Sequence, residues 1–267
     1  MTNIIPRNLI KHLEWTPATG SPPPGNTGTT PPARGTSLIY PRHVIDNPQS
    51  YIQVPQYQGL VIATAETHKG LNMFDTLEAL VTEQLYMPPV PHFMRHRLNL
   101  KEAGLDKTRK LLYADETEVA EDVAVDLWKY VSSGHRKGCW TWLNSQFKEE
   151  GGIWYIENNL TVATDSDGKK SLIGERQPLD CSIREDCYVN FDANEQGFPT
   201  SKAPTQKYEA DNNNYFYHPR NGAVARFLAA SDRSDLDCGG NPDVRYSSLG
   251  VFACAAGGAP QNRGGTL

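Results

Sequence analysis

The sequence predicts an α+β domain, on three observations. Apolar residues recur at helical spacing only in the stretch before residue 133. After Gly151, short apolar runs alternate with Pro, Gly, Asn and Asp, the pattern of short strands and long ordered loops. No internal repeat breaks this order of helices first and a short-stranded antiparallel sheet second. With 267 residues, 38% hydrophobic and a mean hydropathy of -0.55, the chain is long enough for a core but leaves part of itself outside it.

Residues 1–15 form a short peptide carrying Ile4, Ile5, Leu9, Ile10, Leu13 and Trp15. Residues 16–37 follow with six prolines, four glycines and a single charge, Arg34. Such a segment buries too little apolar surface to offset chain entropy, and it reads as an extended linker. The peptide before it reads equally as a docking piece that tethers the domain to a larger assembly or as an element packing back onto the domain. The globular domain is placed at 38–267.

Within that domain, residues 57–67 hold the run Leu60, Val61, Ile62 and Ala63, a buried strand. Over 72–86, Phe74, Leu77, Leu80, Val81 and Leu85 fall at helical spacing, with Asn72 or Asp75 as cap and Met87-Pro88-Pro89 as stop. A second helix is expected over 92–103, ended by Gly104. A third covers 116–132, with Val119, Val123, Leu127, Tyr130 and Val131 on one face and Gly134 as its stop. Cys139-Trp140-Thr141-Trp142-Leu143 adds a dense apolar anchor. Strands are expected at 153–156 and 159–164, joined by a turn, with a further turn at Asp165-Ser166-Asp167-Gly168.

Composition excludes some classes of function. A net charge of -5 and a pI of about 5.8 argue against nucleic acid as a partner, which needs a basic face. No window approaches the roughly 18 apolar residues of a membrane span. No secretory signal is recognisable at the N-terminus, and the compartment is unassigned, a virion or cell surface being the setting a tether would suit. Cys181/Cys187 and Cys238/Cys254 each flank a short irregular segment as a disulfide would, and reduced, buried thiols are the equal alternative. His92 and His96 stand at i, i+4, but Arg95 and Arg97 disfavour a cation, so solvent-facing or capping histidines are expected and no metal or cofactor. The turn at 165–168 lacks the glutamate of a calcium loop. Asn159-Leu160-Thr161 fits a glycosylation acceptor, to which little weight attaches without a secretory signal. No phosphate-cradling glycine loop or nucleophile elbow occurs.

The C-terminal part, residues 214–255, differs from the rest. Gly222, Val224, Phe227, Ala229 and Ser231 stand at largely alternating positions. Between them lie Asn221, Ala223, Arg226, Leu228, Ala230 and Asp232, which share no chemical theme. Residues 233–248 read as loop and carry Arg233, Asp235, Asp237, Asn241, Asp243, Val244, Arg245 and Tyr246. Residues 249–254 return as a compact buried strand. A mixture of Tyr, Arg, Asn and Asp on a rigid scaffold suits adaptable recognition, and an ordinary strand followed by a surface loop explains it equally.

Tyr217-His218-Pro219-Arg220-Asn221-Gly222-Ala223-Val224-Ala225-Arg226-Phe227, then Cys238-Gly239-Gly240-Asn241-Pro242 and Leu249-Gly250-Val251-Phe252-Ala253-Cys254, resembles a known segment. It is similar to the variable region of target proteins of diversity-generating retroelements, most of all those of archaea and archaeal viruses. Residues 139–147 (CWTWLNSQF) and 180–190 (DCSIREDCYVN) resemble the lead-in of those proteins. The likeness spans roughly residues 60–255. It implies a C-type-lectin-like domain whose last strands and loops display positions diversified by adenine-directed mutagenesis through a reverse transcriptase. Asn221, Ala223, Arg226, Leu228, Ala230, Asp232, Arg233, Asp235, Asp237, Asn241, Asp243, Val244, Arg245 and Tyr246 are then the displayed set. Ala225, Phe227, Cys238, Leu249, Val251 and Phe252 are the unvaried scaffold. The expected function is non-catalytic binding of a protein or glycan. Two other readings stand beside it. One is an oxidoreductase resembling the formylglycine-generating type, with a pocket and activated thiols near Cys238 or Cys254. The other is a viral or surface attachment protein tethered through 16–37.

Overall fold

The computed structural model describes residues 45–133 and 138–256, all within the unit Ser37–Leu267. The expected peptide 1–15, the linker 16–37 and the Gly134 stop lie outside the described residues. The domain is α+β. Strands β1 (Tyr51–Gln53) and β2 (Leu60–Ala63) come first, then helices α1 (Met73–Thr82), α2 (Val90–Gly104) and α3 (Glu121–Ser132). After them run β3 (Cys139–Glu150), β4 (Ile153–Thr164), β5 (Lys170–Pro178), β6 (Cys187–Asn190), β7 (Asn213–Tyr217), β8 (Val224–Ala230), β9 (Arg233–Gly240) and β10 (Cys254–Ala256).

Helices α1 and α2 start where local chemistry satisfies a free N–H group. In α1 the Asn72 side chain accepts a hydrogen bond from Asp75 N at 2.9 Å, so Asn72, not Asp75, is the cap. Pro91 in the first turn of α2 removes a donor that would go unused, and Ser145 Oγ, on β3, accepts from Val90 N at 3.0 Å. Helix α3 begins at Glu121, five residues later than its periodicity suggests. Residues Leu111–Val119 instead double back in bridges and backbone bonds, Leu112 to Glu118 and Val119 N to Leu111 O. At the α2–α3 crossing, a Cβ on Gly104 would stand 2.5 Å from Ala124 O and 2.8 Å from Trp128 Cβ, so only glycine allows this approach.

Two sheets result. One runs β1-β2-β10, so that the first and last described segments close the fold by pairing Ile62 with Cys254. The other runs β5-β4-β3-β8-β9-β7-β6, antiparallel except for the parallel β7–β9 pair. β3 is a shared wall. Leu143 and Phe147 enter a core with Phe93, Phe227 and Phe252, whereas Trp142 enters a second core with Met73, Leu77, Leu249 and Val251. Phe93 lies 5.2 Å from Phe227 and 5.7 Å from Phe252 between ring centroids.

Three expectations are corrected. The two strands at 153–156 and 159–164 are one strand, β4, with Asn159 at φ +55° where the register shifts. The polar stretch there mimics a turn, but Asn144 Oδ1 accepts from Leu160 N at 2.8 Å, which keeps the strand running. Residues 233–240 are the strand β9, not loop. Asp and Gly hide its strand character, while Ser234, Leu236 and Cys238 alternate into the core. The disulfides do not form, since Cys139, Cys181, Cys187, Cys238 and Cys254 are all free and buried. Cys238 and Cys254 stand on different sheets; Cys181 Sγ donates to Ile183 O and Cys254 Sγ to Tyr86 O, each at 3.3 Å.

One buried cation braces this arrangement. Arg97, 2% exposed, donates from Nε to Val131 O at 2.9 Å and from Nη2 to Ser234 Oγ at 3.0 Å. Its guanidinium lies 4.5 Å from the Phe191 centroid, 4.7 Å from Phe227 and 5.5 Å from Trp128. Burial pulls it down to about 9, so it stays protonated at neutral pH. Arg97 thereby ties α2 and α3 to β9 from behind.

Candidate ligand-binding surface

The alternation of β8 and β9 builds one face. Phe227, Ala229, Leu236 and Cys238 point into the core, so Arg226, Leu228 and Ala230 on β8 and Arg233, Asp235 and Asp237 on β9 share the opposite side. Register sets them in rows, with Arg226 opposite Asp237, Leu228 opposite Asp235 and Ala230 opposite Arg233. The parallel pairing of β7 places Tyr215 beside Asp235 and Tyr217 beside Asp237, and β6 adds Tyr188 beside Tyr215. On the other flank, β3 puts Trp140 beside Leu228.

Side-chain contacts organise the face. Arg226 Nε donates to Asp237 Oδ2 at 2.7 Å, and its guanidinium lies 5.4 Å from the Trp140 centroid. Tyr246 stacks on Trp140 with centroids 4.6 Å apart and planes 21° apart, which brings the 241–248 segment against the sheet. Val244 packs on the same cluster, and Arg245 reaches Asp75 on α1. Asn241 Oδ1 accepts from Asp243 N at 2.9 Å, forming the turn that exposes both. At the far side, Tyr188–Tyr215 and Tyr215–Tyr217 meet edge to face at 4.9 and 4.7 Å.

Most of the displayed set therefore gathers on this face and its rim. Asp232 lies in the exposed β8–β9 turn. Asn221 is exposed at the start of β8, where its Oδ1 accepts from Glu149 N at 3.0 Å. Two members are buried and are corrected. Ala223 lies in the approach to β8, where strict alternation fails: Val224 and Ala225 are both buried, and the register with β9 shifts between Val224 and Arg226. Asp235 has the outward phase but is walled in by its neighbours and is 4% exposed.

The aromatic flanks, Trp140, Tyr188, Tyr215 and Tyr217, border this face and are absent from the displayed set. Tyr215-Phe216-Tyr217 carries a usable signal, since a buried Phe between two tyrosines is the signature of a strand with one wet face. Trp140 is positioned by a buried carboxylate. Glu66 accepts from Trp140 N at 2.5 Å, Tyr130 Oη at 2.9 Å and Lys69 Nζ at 2.9 Å.

Electrostatics single out Asp235. Burial pushes its carboxyl up to about 6, and Asp237 and Asp232 add to the rise against the opposing pull of Arg233. A raised carboxyl means that the folded protein holds this proton more tightly than the unfolded chain. Its stability contribution is favourable at low pH and is lost as pH rises through about 6. Asp235→Asn is therefore expected to stabilise the protein by about 1–2 kcal/mol at pH 7.5 and by almost nothing at pH 4. Urea midpoints at the two pH values test this; a variant less stable than the parent at pH 7.5 would overturn it.

Other groups behave differently. His92 and His96 are buried, not solvent-facing, and desolvation lowers each to about 4. His92 lies 4.1 Å from the Tyr57 ring centroid, and His96 Nδ1 has no hydrogen-bond partner among the described residues. Burial pushes the Cys238 and Cys254 thiols up, opposite to the shift an activated thiol requires. No group of three or more His, Cys, Asp or Glu among the described residues is placed to hold a metal, and no described helix is long and apolar enough to cross a membrane. A pocket of about 440 Å³ lined by Gln53, Tyr57, Gln58 and Glu116, among others, includes none of the displayed set. No family model matches the chain, and neither a curated protein nor a solved structure matches it.

Proposed function

We propose that this chain is a non-catalytic display protein with a C-type-lectin-like domain, whose β8–β9 face and adjoining 241–246 segment bind a protein or glycan and are diversified by a retroelement. The observation that carries this reading is the division of labour along β8 and β9. One side is an aromatic and aliphatic core anchored by Arg97 and Phe93. The other is a set of side chains with no shared chemistry, flanked by Trp140, Tyr246 and three tyrosines. Tyr and Trp supply rigid contact area at low entropy cost, and Arg, Asp and Asn supply adaptable hydrogen bonds. Asp235 strengthens the reading, because a carboxylate held at a cost to stability in the middle of a surface is a mark of function. The pairing of β2 with β10 supports the lectin-like closure in the same way.

The deciding experiment is to sequence the DNA around the gene. The expected result is a near-copy of the segment coding 214–255, differing only at template adenines, beside a reverse-transcriptase gene. Sibling sequences should vary at Arg226, Leu228, Ala230, Arg233 and Tyr246 and keep Phe227, Leu236 and Phe252. A complete genome with neither the repeat nor the reverse transcriptase would overturn the reading.

A further inference from the structure

Resting on that display reading of the same face, the geometry points to a specific recognition element: Asp235, Tyr215 and Tyr217 form a subsite for an arginine side chain of a partner protein. Asp235 is the deepest charged group of the face, yet no hydrogen-bond donor among the described residues reaches its carboxylate. Its oxygens are not among the buried polar atoms left without a partner, so they reach the surface, where a ligand can meet them. Its nearest cation is Arg233 on the same strand, with Nε at 3.5 Å, well beyond the 2.7–2.9 Å of a charge-assisted bond, and a side chain 52% exposed. Arg233 thus pairs with Asp235 without a direct hydrogen bond, from a half-exposed side chain.

The surroundings select the sign and shape of the ligand group. Tyr215 and Tyr217 stand beside Asp235 and Asp237 in register and pack edge to face on each other, which sets aromatic rings next to carboxylates, the chemistry that receives a guanidinium by ring contact and bonding together. Asp232 adds a further negative charge at the turn. The other arginines near the face are already engaged, Arg226 by Asp237, Arg245 by Asp75 and Arg220 by Asp186. With Arg233 on Asp235, each of these four arginines is paired with one carboxylate, and Asp232 and Asp243 add negative charge with no ion pair among the described residues, so the face favours a cationic ligand group.

The test uses the full chain, isotope-labelled for NMR, titrated with the blocked peptide acetyl-Gly-Arg-Gly-amide. Acetyl-Gly-Glu-Gly-amide and a methyl glycoside serve as competing probes. Saturable shifts of the Tyr215 and Tyr217 ring signals are expected with the arginine peptide alone. Asp235→Asn should weaken binding at least fivefold while remaining folded, and Arg233→Ala should tighten it severalfold by removing the internal competitor. A merely structural Asp235 would not give that opposite pair of effects. Unchanged binding in Asp235→Asn, weaker binding in Arg233→Ala, or no saturable response to the arginine peptide would each overturn the subsite. Saturation of the same signals by the glycoside instead would overturn it while leaving the display function standing; only the genomic search decides that function.

Discussion

Arg97→Ala is expected to destabilise the domain by about 3–5 kcal/mol. The change opens a cavity among Trp128, Phe191 and Phe227 and leaves Val131 O and Ser234 Oγ without their donor. Arg97→Lys should cost nearly as much, since an ammonium cannot lie flat among three rings while bonding two acceptors in a fixed fork. Arg97→Met should be milder, at about 1–2 kcal/mol, because it refills the space and removes a desolvated charge. Urea unfolding of the three variants tests the order. A lysine variant as stable as the parent would show that charge alone, and not the planar fork, is what the site uses.

Acidification should destabilise the protein through His92 and His96. Both are neutral in the fold, with values of about 4 against an ordinary 6.5. Between those values the unfolded chain binds more protons than the folded one, so stability is full above about pH 6.5 and falls as pH drops toward 4. The pair should together cost about 5 kcal/mol between pH 7 and 4.5, an upper bound set by the two shifts. Asp235 works the other way over part of that range and returns about 2 kcal/mol, so the parent shows a blunted loss and Asp235→Asn shows the larger one. Urea midpoints across pH 4.5–7 in the parent, in Asp235→Asn and in the double variant His92→Gln, His96→Gln check the assignment. The double variant should keep most of its midpoint on acidification; a loss equal to the parent's would place the acid sensitivity elsewhere.

The sequence made the helices and the inner side of β8 legible, for one reason. A repeating apolar position marks a buried side whatever the fold around it. Phe227 and Ala229 in β8 could be assigned from alternation alone. β9 could not, because its outward residues are Asp and Arg and it ends in Gly239-Gly240, all of them residues that also mark loops. Its strand character comes from neighbours far away in the chain, β7 on one side and β8 on the other. The aromatic flanks escaped for a similar reason. Tyr188 and Trp140 join the face only through pairing between distant strands, and spacing along the chain carries no trace of that. The unpaired cysteines and the buried histidines follow the same rule, since partner choice is set by tertiary packing.

The position of β8 and β9 in the middle of their sheet has a consequence for how this surface changes over time. Each has a neighbour on both sides, so its main-chain groups are committed whatever side chain is present. Exchanging one outward residue for another leaves every one of those bonds in place. Adding or deleting a single residue within the strand instead sends every later outward side chain into the core and draws Phe227 or Leu236 out. The architecture therefore accepts change of spelling and rejects change of length, a constraint that descendants of this gene should carry as strands of constant residue count beneath a shifting alphabet.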